Sequence, residues 1–138
     1  MIAAFDDNRA RSVRCVHPLV TVIEKLDALH RRFSNEQASP PTFVRHYEDL
    51  ARLIAARAAL PPLDPYPTVR ALADEMLSQK QIVAMPVVDD VALAPVDDAR
   101  WAAIRRAHDA IGEMFWGPRI ELEEATAAIR AWISTELA

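Results

Sequence analysis

A chain of 138 residues with a formal charge of -4 is sized for one domain able to bury roughly two thirds of its unfolded surface. Apolar residues make up 51% and charged residues 26%, the balance of a globular chain and not of a disordered one. Two glycines against ten prolines argue against Gly-rich phosphate loops and tight hairpins and favour helix.

The lone Cys15 excludes an internal disulfide and fits a reducing compartment. The start, MIAAFDDNRARS, lacks the apolar core of a signal peptide, and no apolar run approaches the ~18 residues that would cross a bilayer. A cytoplasmic location without membrane attachment is the expectation. Charge is unevenly spread: residues 9–57 hold nine Arg or Lys and five Asp or Glu, the rest seven against fifteen. The basic segment reads either as a side facing a polyanion or as a solvated face whose charges pair with the acidic half.

Residues 1–16 form a tail in which SVRCV alternates weakly, as a remnant strand would. Residues 17–60 read as a pair of amphipathic helices, HPLVTVIEKLDALHRRF and PTFVRHYEDLARLI, joined by SNEQASPP. Pro18 suits a first helical turn, where its missing N–H is not needed. Leu19, Val22, Ile23, Leu26, Leu29 and Phe33 form one apolar stripe. Asp27 and Arg31 make an i,i+4 pair on the far side, and Lys25 lies at the stripe's margin. Ser39 or Thr42 is placed to cap the second helix, whose stripe is Phe43, Tyr47, Leu50 and Ile54. Arg45 and Asp49 sit four apart on its flank. A short loop packs such helices antiparallel or steeply crossed, which allows Lys25 and Asp49 a shared edge.

Residues 61–138 read as packing helices. PPLDPYP is an ordered extended connector. A third helix is expected from Thr68 to Val83, then a loop bounded by Pro86 and Pro95. Asp97 and Asp98 suit a helix start, from which Trp101, Ile104, His108, Ile111 and Phe115 share a face until Gly117-Pro118. A last helix spans Glu121 to Leu137 and buries Ala125, Ile129, Trp132 and Ile133. The expected fold is mainly α, a bundle of about five helices with at most one or two short strands.

Among candidate sites, the paired acids Asp6-Asp7, Asp89-Asp90 and Asp97-Asp98 read as caps or solvated turns. Cys15, His17, His30 and His46 match no zinc spacing. Arg11 and His17 have the separation of a helical HEPN-type ribonuclease motif, but Pro18 puts them ahead of the helix. Lys25 with Asp49, flanked by Glu24 and Arg45, is either a helix-edge ion pair of ~0.5 kcal/mol or a cation held by carboxylates to meet a phosphate.

TVIEKLDALHRR (21–32) followed by RHYEDLARLI (45–54) resembles the two downstream motifs of the AbiEii-type nucleotidyltransferase toxins of type IV toxin–antitoxin and abortive-infection systems. The family's Glu-Lys falls on Glu24 and Lys25, and its Arg-x-x-x-Asp-Leu on Arg45, Asp49 and Leu50, with His46 and Tyr47 between. The tail, with Gln79 and Lys80 ending a helix and two terminal helices after a loop, is similar as well. The resemblance implies the C-terminal helical half of an α/β toxin that transfers a nucleotide from an NTP with Mg²⁺, often to RNA, under control of an antitoxin. It makes Lys25 and Asp49 catalytic and Glu24 and Arg45 substrate-binding. The family's Gly-Ser and Asp-x-Asp motif, whose carboxylates hold the metal ions, has no counterpart in this sequence. The chain by itself is therefore expected to hold no metal and to transfer nothing, and an uncovered apolar face is expected to favour a homo-oligomer. The alternative is a free-standing helical interaction or regulatory module.

Overall fold

The computed structural model describes Ser12 and residues 14–138. Five helices carry the fold: α1 (Pro18–Phe33), α2 (Arg45–Ala55), α3 (Val69–Ser78), α4 (Ala99–Ala110) and α5 (Leu122–Glu136). Single 3₁₀ turns at Pro40–Thr42, Arg57–Ala59, Val91–Leu93 and Gly112–Met114 punctuate the connections. No strand occurs among the described residues, so Ser12 and Arg14–Val16 lack the strand that the SVRCV alternation suggested. Arg11 and the Asp6-Asp7 pair lie outside the described residues.

One apolar cluster draws on all five helices, with Ile23, Tyr47, Leu50, Met76, Trp101, Ile104 and Ile129 among its fully buried members. α2 lies at its centre, packed most extensively on α5 and next on α1. Trp101 is stacked between Phe33 and Tyr47, at centroid distances of 5.1 and 6.0 Å in tilted geometry. The Tyr47 hydroxyl donates to the Ala92 carbonyl at 2.7 Å, so the ring is buried without an orphaned polar atom.

The helix starts follow from their caps. His17 Nδ1 accepts from Leu19 N at 3.1 Å, and its Nε2 then donates to the Pro61 carbonyl at 2.9 Å. One imidazole thus caps α1 and ties it to the proline connector. Thr68 Oγ1 accepts from Ala71 N, and Asp98 Oδ1 from Trp101 N. Neither Ser39 nor Thr42 caps α2. The intervening 3₁₀ turn moves the α-helix start to Arg45, where no side chain caps it, and Thr42 Oγ1 donates back to the Ser39 carbonyl instead.

Two helices stop earlier than their apolar periodicity suggests. α3 ends at Ser78 and not at Val83, because Lys80 turns left-handed at φ 60°. Gln81 N then donates to Met76 O and Lys80 N to Leu77 O, closing the helix in a Schellman turn. α4 ends at Ala110, well before Gly117, so Phe115 lies in a loop. Asp27 also departs from expectation. It is buried at 4% exposure, accepting from Arg31 Nε at 2.7 Å and from Val83 N at 2.8 Å. The far side of α1 is therefore a second interface, covered by the chain that follows α3.

Candidate functional site

Each of the two motif helices is rotated by its own core stripe. Burial of Leu19, Val22, Ile23, Leu26 and Leu29 leaves Lys25 on the flank of α1, and burial of Tyr47, Leu50 and Ala51 leaves Asp49 on the flank of α2. The flanks meet. Lys25 Nζ donates to Asp49 Oδ2 at 3.1 Å, each side chain about a fifth exposed (22% and 23%). Arg45 Nε lies 3.6 Å from the same oxygen. Lys25, Asp49, Arg52 and Leu53 line an open groove of about 340 Å³. Glu24 is exposed on α1, is not part of the groove lining, and has no polar partner among the described residues.

His46 completes the cluster. Its Nδ1 accepts a second hydrogen from Lys25 Nζ at 3.2 Å, since an ammonium can only donate. Burial, and next the Lys25 charge, lower the His46 pKa from 6.5 to about 4, with Asp49 opposing the shift. The imidazole is therefore neutral at physiological pH, and Lys25 is held between two acceptors at the groove.

Behind Asp49 lies an ionic cluster that periodicity did not reveal. Glu48 is fully buried, its Oε1 accepting from Arg119 Nε at 2.8 Å and from Ile120 N at 2.9 Å. Arg52 is 3.7 Å from Oε2, and His108 Nε2 3.8 Å from Oε1. Burial raises the Glu48 pKa, but the Arg119 and Ile120 hydrogen bonds outweigh it and leave the carboxyl below the usual carboxylate range. Arg119 also donates to the His108 carbonyl at 2.9 Å. The loop after α4 is thereby fixed to α2, and Phe115 comes to lie among three guanidiniums, those of Arg119 at 4.9 Å and of Arg45 and Arg52 at 5.7 Å each. The one available sequence signal was the acid adjacent to Asp49 on an amphipathic helix, and its partner is 71 residues away.

The remaining candidate ligands disperse. His17 caps α1, His30 Nδ1 pairs with Asp90 Oδ2 at 2.7 Å, and His46 serves Lys25. Among the described residues no group of three His, Cys, Asp or Glu side chains gathers closely enough to hold a metal ion. At the groove itself the only acid lining it, Asp49, is already matched to Lys25. These residues do not form a Mg²⁺ site, and no chemical step through a metal follows from them. Among the described residues no helix is long and apolar enough to cross a membrane. In comparisons with models of protein families, with curated proteins and with solved structures, the chain matches none.

Proposed function

We propose that the chain is the helical, phosphate-binding portion of an AbiEii-type nucleotidyltransferase, contributing Lys25 and Asp49 to a site for a nucleoside triphosphate. The observation that carries this reading is the 3.1 Å convergence of Lys25 Nζ and Asp49 Oδ2 on an open groove also lined by Arg52. A partly exposed ion pair contributes under ~1 kcal/mol to folding, so stability alone is a weak reason for building one here. An ammonium held by two acceptors is a preset point charge, and a triphosphate oxygen entering the groove competes with Asp49 for it. Arg45 and Arg52 extend the cationic rim. Glu24, outside the groove lining, takes no part in the proposed site.

Transfer of a nucleotide requires carboxylates holding metal ions. With no Asp-x-Asp in this sequence, that step belongs to residues elsewhere, and the chain alone binds without transferring. In this reading the protein acts in the cytoplasm, RNA is the acceptor and an antitoxin the regulator. A second copy would cover the exposed Val83, Val87 and Val91.

Isothermal titration of the four common ribonucleoside triphosphates tests it. Wild type should give measurable heat and Lys25→Ala at least about tenfold weaker binding, the loss of one charge-assisted contact. Asp49→Asn should bind several-fold tighter in metal-free buffer, because the competing carboxylate charge is gone. Equal, negligible heats from all three proteins would overturn the reading and leave a helical interaction module.

A further inference from the structure

The loop between α4 and α5 displays an aromatic residue that the fold does not use. Trp116 is 96% exposed, whereas Trp101 and Trp132 are buried, as large apolar rings usually are. The loop that carries it is anchored at both sides. Before it, Phe115 faces the guanidiniums of Arg45, Arg52 and Arg119; after it, the Pro118 carbonyl accepts from Arg52 at 2.6 Å and Arg119 is bound to Glu48. The indole is thus presented on a tethered loop, with little ordering left to do on binding.

Guanidiniums gather on the neighbouring Phe115. Among the described residues, Lys25, Arg45, Arg52 and Arg119 pair with two carboxylates, Glu48 and Asp49, and the loop itself adds the exposed Glu113. Arg45 and Arg52 keep 55% and 39% of their side chains exposed. Arg52 belongs to both places, lining the Lys25–Asp49 groove and lying against Phe115. A free aromatic face beside excess guanidinium charge suits a chain that offers flat bases and phosphates in alternation. An acidic peptide would meet the charge but leave the indole in water, and a duplex hides its base faces within the stack.

We propose that the Phe115–Trp116 loop is a stacking platform for single-stranded nucleic acid, whose backbone crosses Arg45 and Arg52 towards the groove. The strand's relation to the groove rests on the triphosphate reading; binding at the platform does not.

The test is titration of the full chain with a short oligouridine and with a hairpin duplex of equal length, at low salt and without NTP. Anisotropy reads binding, and indole emission reads stacking at Trp116, the exposed one of the three tryptophans. The single strand should bind, quench the emission, and be preferred over the duplex. Trp116→Ala should bind about tenfold more weakly while leaving triphosphate heats unchanged. Arg45→Gln should flatten the salt dependence by about 0.7 in the logarithmic slope, one phosphate contact. No binding at low salt, equal affinity for the duplex, or equal affinity of Trp116→Ala and wild type would each overturn the proposal. Strand binding without triphosphate heat would sink the preceding reading and sustain this one; heat without strand binding would do the reverse.

Discussion

Arg100 closes the loop between α1 and α2. Its guanidinium donates to the carbonyls of Arg32 and Phe33, which end α1, and to those of Asn35 and Ala38 in the loop, at 2.9 to 3.2 Å. It also lies over the rings of Phe33 and Phe43, at 5.7 and 5.4 Å. A cation among helix C-terminal carbonyls is favoured by the dipole, and a planar fork reaches four acceptors where an ammonium cannot. Arg100→Lys should therefore cost about 2 kcal/mol in urea denaturation, although the charge is kept, and should leave triphosphate heats unchanged. This residue and Glu48 mark where sequence reading fails. Lys25 and Asp49 were legible because each one's angle on its own helix is fixed by nearby residues. Arg100 and Glu48 take their roles from partners more than sixty positions away, which no helical period encodes.

At the scale of elements, the bundle was legible wherever apolar spacing and a cap agreed. α1 and α5 came within one residue of their expected bounds, and Asp98 opens α4 as its acid implied. The ends of α3 and α4 were not legible, for a specific reason. Ile82 is buried at 2% exposure, which keeps the apolar pattern going, but it reaches the core after the chain has already turned at Lys80. A left-handed turn made by lysine lacks the glycine that normally announces it. Such a conformation costs an L-residue about 1 kcal/mol. Lys80 is exposed, so little is lost with its side chain. Lys80→Gly should raise stability by a few tenths to about 1 kcal/mol, the gain being limited by glycine's freer unfolded state, and the midpoint of thermal unfolding should rise. Lys80→Val, β-branched at the same φ, should lower it. Gly112, by contrast, is needed for space: a Cβ there would lie 2.6 Å from Arg119 Nη1, a group held by Glu48 and His108.

Across the whole molecule, the basic and acidic parts are tied together by pairs such as Arg57–Glu136 at 3.0 Å and His30–Asp90 at 2.7 Å, and Glu48–Arg119 runs in the opposite sense. Acid should loosen this arrangement in two stages. His46 has its folded pKa lowered to about 4 from 6.5, so between those values the unfolded chain binds a proton that the folded chain refuses. Stability falls as pH drops through that window, by at most about 3 kcal/mol. Glu48 and Glu123 are shifted below their usual 4.5, Glu48 by Arg119 and Ile120 acting against burial, Glu123 chiefly by its Arg105 hydrogen bond. Their contribution is present above pH 4.5 and is lost as pH falls through their lower folded values. Denaturant titrations of wild type and His46→Gln across pH 7 to 4.5 separate the stages, because the other three histidines are common to both proteins and cancel in the difference. Wild type should lose stability relative to the variant as pH falls from about 6.5 towards 4, and the two should run parallel above that window. Parallel curves from pH 7 downwards would mean that His46 is as free to protonate in the fold as out of it, and that Lys25 does not lean on it.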